Sequence, residues 1–191
     1  MNNTNFKYLP TLLTFGRIGL IPIFVVAMYI PFKWGNEFAV LIFLVAAVTD
    51  WLDGFLARKL GLATAFGAFL DPVADKLMVA VALVIIVQHH PSMHMALAAA
   101  VIIGREITIS ALREWMAEMG KRVSVSYIGK FKTVLQMAAL FFLIYEDPLW
   151  GIPIFELGQI LLLAAVALTL WSMFLYLKLA WANLDSDMVE P

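Results

Sequence analysis

Asp50-Trp51-Leu52-Asp53-Gly54-Phe55-Leu56-Ala57-Arg58, followed after eight residues by Gly67-Ala68-Phe69-Leu70-Asp71-Pro72-Val73-Ala74-Asp75, decides how this chain is read. The two stretches together hold four carboxylates, two glycines and an arginine within 26 residues. Their surroundings are apolar: 63% of the chain is hydrophobic, 14% is charged, and mean hydropathy is +0.90. Soluble domains are roughly half apolar and a quarter charged. An Asp at the centre of a membrane helix costs about 2.5–3.5 kcal/mol. Four are tolerable if they line a wet cavity and share divalent cations, which points to chemistry on phosphates.

Working outward, apolar runs near the ~20 residues needed to cross a bilayer occur six times. They cover Leu9–Ile30, Phe38–Ala57, Asp71–Gln88, Met95–Trp115, Tyr127–Tyr145 and Ile154–Leu177. Turn chemistry separates them, at Pro31 to Asn36, Lys59 to Gly61, His89 to Ser92, Gly120 to Arg122 and Glu146 to Pro153. The expected fold is all-α: one domain over 1–191, a membrane bundle of six transmembrane helices. Lys7 and Arg17 sit among apolar residues between Asn5 and Gly19, so the start of that stretch is expected along the membrane interface. The first ten residues, MNNTNFKYLP, lack a basic start, and no small-residue cleavage site follows the first apolar run. They read as a retained segment rather than a signal peptide. A net charge of −1 gives a nucleic-acid partner no electrostatic support. The absence of cysteine excludes disulfides and thiolate metal sites.

Six spans put both termini and the breaks after spans two and four on one side. That side collects Lys7, Arg58, Lys59, Lys121 and Arg122, with Lys130, Lys132 and Lys178 close to it. The other side offers Lys33 with Glu37, Glu146, Asp147 and Glu156. The positive-inside rule therefore turns the termini and the acidic motif toward the cytoplasm. At about 100° per residue, Asp50, Asp53, Gly54 and Ala57 share one helical stripe, with Arg58 at its edge. Small Gly54 and Ala57 keep that stripe low enough for a bulky polar ligand. Asp71 and Asp75, one turn apart, form a second acidic stripe, and Pro72 suits a helix start. Facing each other, the two stripes would make an oxygen-only cage fit for Mg2+ or Mn2+ rather than zinc. A pair of such ions neutralises a diphosphate and stabilises its entering and leaving groups. The bland alternative for any single acid is a solvated cap at a span end.

The pattern from Asp50 to Asp75 resembles the signature of the CDP-alcohol phosphatidyltransferase family, with every motif position filled. Residues 49–58, 66–76, 104–117, 9–17 and 129–133 extend the likeness over most of the chain. Within that family they look like the bacterial branch that uses glycerol 3-phosphate. Thr11 departs from the Asn that many relatives carry after the proline. The resemblance implies a homodimeric enzyme with its metal site between the second and third spans. It implies transfer of a phosphatidyl group from CDP-diacylglycerol to sn-glycerol 3-phosphate, yielding phosphatidylglycerophosphate and CMP in phospholipid biosynthesis. Asp50, Asp53, Asp71 and Asp75 would hold the two ions, and Asp75 would also be the general base. Asp50, Gly54, Ala57, Arg58 and Gly67 would form the CDP side of the pocket.

A second polar cluster bears on the acceptor. Arg105 and Arg113, eight residues apart, fall near one face of the fourth span, and Lys130 and Lys132 begin the fifth. A lipid-facing helix rejects such cations, whereas an arginine fork suits phosphate oxygens. The ordinary alternative is that Arg113, Lys130 and Lys132 snorkel to headgroups and Glu106 or Glu114 pairs an arginine. His89, His90 and His94 gather at the opposite end and read as loop residues. Trp150, Trp171 and Trp181 read as interfacial belt aromatics, and Asp185 to Glu190 as a mobile tail. Three competitors remain in view. A membrane prenyltransferase would need two separated Asp-rich repeats. A divalent-cation transporter would place its acids near mid-membrane. A cardiolipin or phosphatidylserine synthase would differ only in its acceptor.

Overall fold

The computed structural model of the protein describes residues 9–31, 33–60, 65–120 and 127–188. Six helices account for most of them: α1 Leu9–Tyr29, α2 Gly35–Leu60, α3 Ala65–His89, α4 Met93–Glu118, α5 Tyr127–Tyr145 and α6 Ile154–Met188. The protein is an all-α membrane bundle. Among the described residues, four stretches are long and apolar enough to cross a membrane: Leu12–Tyr29, Gly35–Phe55, Met93–Glu118 and Ile154–Lys178. Phe131–Tyr145 is a shorter apolar helix. Large apolar side chains of the bundle face outward in number, among them Leu12, Ile23, Leu41, Val84, Ile107, Ile160 and Phe174. Lipid, not water, is the medium in which such a surface is favourable.

Two expectations change at the helix ends. α3 starts at Ala65, so Pro72 lies inside the helix rather than at its start. Asp71 and Asp75 thus stand one and two turns beyond Gly67 on an established helix. The acidic end of the chain is not a loose tail as far as it is described, because α6 continues through Asp185 to Met188. Among the three histidines, His90 is in a connection, while His89 closes α3 and His94 lies in the first turn of α4. Lys7, Lys121, Arg122 and the interfacial start expected near residue 5 lie outside the described residues.

Local chemistry sets several ends. The Ser92 hydroxyl accepts from the Met95 amide at 3.4 Å and caps α4. After α4, Gly120 takes φ +73, a conformation open to glycine at little steric cost. At Gly158, an added Cβ would meet Leu143 Cγ at 3.0 Å, so α5 and α6 approach closely there.

The core is built from Phe24, Phe43, Met78, Leu83, Ile86, Met95, Ile102, Leu140 and Leu143, drawn from α1 to α5. Its layout positions the site. α1 packs against both α2 and α3, which barely touch each other. On the other flank α6 packs against α5 and α4, while α3 reaches both α4 and α5. The first helix is therefore a wedge between the two acid-bearing helices.

Candidate active site

The wedge carries polar groups into the acid cluster. Thr14 and Arg17 lie three residues apart on α1 and are both buried. Thr14 Oγ1 donates to Asp71 Oδ1 on α3. Arg17 reaches the other way, to α2, with Nη1 to Asp50 Oδ1 at 2.6 Å and Nη2 to Asp53 Oδ2 at 2.5 Å. Asp53 is 2% exposed and Asp50 39%, so Asp50 stands at the open side. The expectation that the two acidic stripes face each other directly gives way to a three-helix arrangement. α2 and α3 contribute the acids, and α1 ties them together.

All four aspartates nevertheless share one neighbourhood. Arg17 and Thr14 of α1 bring Asp50 and Asp53 to the same place as Asp71, and Asp75 follows one turn after Asp71 on α3. Gly67 is buried one turn before Asp71. The side chains of Ala57 and Arg58 lie outside the described residues.

The donor set fits a hard divalent ion, being carboxylate oxygen throughout. As placed, no three acidic or histidine side chains among the described residues converge on one point. One oxygen of each of Asp50 and Asp53, Oδ1 and Oδ2 respectively, is taken by Arg17.

The second cluster lies between α4, α5 and α6. Arg105 Nη1 donates to Glu106 Oε1 at 3.1 Å and Nη2 to Ser172 Oγ at 3.2 Å. Lys132 Nζ donates to the same Glu106 oxygen. Arg113 Nη2 donates to the Tyr176 hydroxyl at 3.1 Å, with its guanidinium 5.3 Å from the ring centre. Lys132 and Arg105 are buried, so neither snorkels. The pairing with Glu106 that the sequence offered as the ordinary alternative is present. Even so, Arg105, Arg113 and Lys132 outnumber it three charges to one. The Lys130 side chain lies outside the described residues.

One cavity joins the clusters. Asp75, Lys76, Val79, Glu106, Thr133, Gln136 and Met137 line a polar space of about 70 Å3 between α3, α4 and α5. Asp75 thus shares a chamber with the acid that gathers Arg105 and Lys132. A larger apolar groove, about 360 Å3, runs between α3 and α4 and shares Lys76, Val79 and Glu106 with that chamber.

Sequence reasoning missed Thr14, Arg17, Ser172 and Tyr176. Arg17 carried a usable signal: a charge inside an apolar helix needs a partner. Ser172 and Tyr176 carried none, since hydroxyls are ordinary in such helices.

The family model described as CDP-alcohol phosphatidyltransferase matches residues 7–171. The chain belongs to that family. A Salmonella typhimurium protein named CDP-diacylglycerol–glycerol-3-phosphate 3-phosphatidyltransferase is 53% identical over 178 residues, covering 92% of this chain and 96% of its own. Proteins of the same name from Escherichia coli K12 and Shigella flexneri are 54% identical over the same shares. Asp50, Asp53, Gly54, Ala57 and Arg58 on α2, and Gly67, Asp71 and Asp75 on α3, all lie within the matched span.

Proposed function

We propose that this protein transfers the phosphatidyl group of CDP-diacylglycerol to sn-glycerol 3-phosphate, giving phosphatidylglycerophosphate and CMP. The observation that carries the reading is the shared chamber of Asp75 and Glu106. It sets a carboxylate of the family motif beside Glu106, the acid on which Arg105 and Lys132 converge, and cations gathered that close to the motif are of a kind that a neutral acceptor does not need. The names of the relatives agree with this acceptor.

Roles follow from position. Arg105, Arg113 and Lys132 hold the acceptor phosphate, with Lys130 as a further candidate from its place in the sequence. Glu106 keeps Arg105 and Lys132 gathered between turnovers, when no phosphate is there to balance them. Ser172 and the Tyr176 hydroxyl fix the directions of the two guanidinium groups. Asp75 takes the proton from the acceptor hydroxyl as its oxygen attacks the β-phosphorus of the CDP-lipid. The P–O bond to CMP breaks, and CMP departs with the electron pair. Asp50, Asp53 and Asp71, with Asp75, would hold Mg2+ or Mn2+, as two ions. Those ions supply charge neutralisation at the diphosphate and the leaving phosphate. Asp50, Gly54, Ala57, Arg58 and Gly67 form the CDP side. The apolar groove between α3 and α4 gives an acyl chain a path from the lipid to the reacting centre.

The same reading makes the protein a homodimer in a bacterial inner membrane, with its acid cluster toward the cytoplasm. The bias of Arg58, Lys59, Lys121 and Arg122 to that side supports the orientation. Purified protein incubated with CDP-diacylglycerol, Mg2+ and separate acceptors should release CMP with glycerol 3-phosphate. No release with it, but release with serine or phosphatidylglycerol, would move the protein to another branch of the family.

A further inference from the structure

The contact that least resembles a routine ion pair is Arg17 with Asp50 and Asp53. Its guanidinium does not grip one carboxylate in a parallel fork. It spreads Nη1 and Nη2 over two acids one turn apart on α2, at 2.6 and 2.5 Å. Arg17 is 1% exposed, and its buried Nε, like that of Arg105, has no hydrogen-bond partner among the described residues. The side chain thereby bridges two acids of α2 from a buried position on α1.

We infer that Arg17 is an internal counter-cation for the Asp50–Asp53 pair, one that a divalent cation must displace or crowd when it binds. The inference rests on the metal reading above and adds to it that α1 sets the affinity of the acid cluster for metal. Two physical reasons support it. Arg17 covers one oxygen of each carboxylate, and these are among the four that the pair offers a hard ion. A fixed positive charge at hydrogen-bond distance from those oxygens also repels an incoming divalent ion, more strongly in a low-dielectric site than in water. Without any cation, gathered carboxylates repel each other, so Arg17 keeps the cluster folded between loadings.

The test uses the full-length protein in detergent and two variants, Arg17→Met and Arg17→Lys. Mn2+ binding is read from the electron paramagnetic resonance signal of the free ion. Unfolding midpoints are taken in EDTA and in saturating Mn2+. Arg17→Met should bind Mn2+ roughly tenfold tighter than the unaltered protein. Its midpoint should fall by about 5–10 °C in EDTA and by less than half as much with Mn2+. Arg17→Lys should lie between, because one ammonium cannot span both acids as the planar fork does. Recovery of Arg17→Met only when Mn2+ is present would be the same result in stronger form. If it cannot be recovered at all, Arg17→Lys decides by the same two measurements. Unchanged or weaker Mn2+ binding in the variants, or equal losses with and without Mn2+, would show a permanent structural pair and overturn the inference. Unaltered protein that binds no Mn2+ would overturn the metal reading, and the inference with it.

Discussion

The two ends of this bundle are both held by polar groups, yet in opposite ways. At the end bearing the acidic motif, Arg17, Asp53, Lys132 and Arg105 are buried charges. At the other, His90 Nε2 meets Glu146 Oε1 at 2.8 Å with both side chains partly exposed. Asn36 donates to the same Glu146 at 3.3 Å, Tyr29 donates to Gln88, and the His90 ring lies 4.3 Å from that of Phe155. The second end ties together the connections between helices at little cost, since exposed pairs contribute about 0–1 kcal/mol. The first end takes charges out of water, where each ion loses several kcal/mol of solvation. Apolar residues there would make a more stable bundle. Keeping the charges is what the proposed work on a charged ligand would require, and the difference in burial sets the acidic end apart from the stapled end.

That contrast can be broken at several points. Asp75→Asn should lower kcat by about 10²–10⁴-fold, measured as CMP release, while the unfolding midpoint stays close to the original. Activity near normal in that variant would remove Asp75 as the base. Next in size, Lys132→Met should destabilise by about 3–5 kcal/mol, because it leaves Glu106 short of a buried partner. Combining it with Glu106→Gln should recover part of the loss, and a thermal-melt cycle should give a coupling of about 1–3 kcal/mol. Additive losses would mean the pair is not coupled. A smaller effect is expected where packing rather than charge holds the far end. Gly158→Ala should cost about 1–3 kcal/mol by pushing α5 from α6. The smallest belongs to His90→Ala. It should change the midpoint by no more than an exposed pair allows, about 1 kcal/mol or less, and leave CMP release unaltered. A large loss of activity from His90→Ala would erase the distinction between the two ends.

Much of the fold was legible because membrane helices announce themselves by length and composition. The expected Tyr127–Tyr145 run is α5 to the residue, and the start of Ile154 for α6 is also as expected. Ends were read less well. α2 extends to Gly35 and Leu60, beyond the apolar run Phe38–Ala57, because polar residues continue a helix outside the hydrocarbon layer. Pro72 misled for a related reason: a proline can sit inside a membrane helix whose neighbours and ordered groups satisfy the freed carbonyl. The acid motif itself was plain, since spacing on one helix is a matter of 100° per residue.

What the sequence by itself determined is the set of helices, the stripe each acid occupies, and the presence of arginines on α4 and lysines on α5. These depend on neighbours within a few residues. Only the tertiary structure decided who meets whom. Arg17 finds Asp50 and Asp53 from 33 and 36 residues away, and Arg105 finds Ser172 from 67. Such contacts depend on which helices lie side by side. That is set by how the whole bundle packs, with α1 driven between α2 and α3. No local pattern of residue types encodes it.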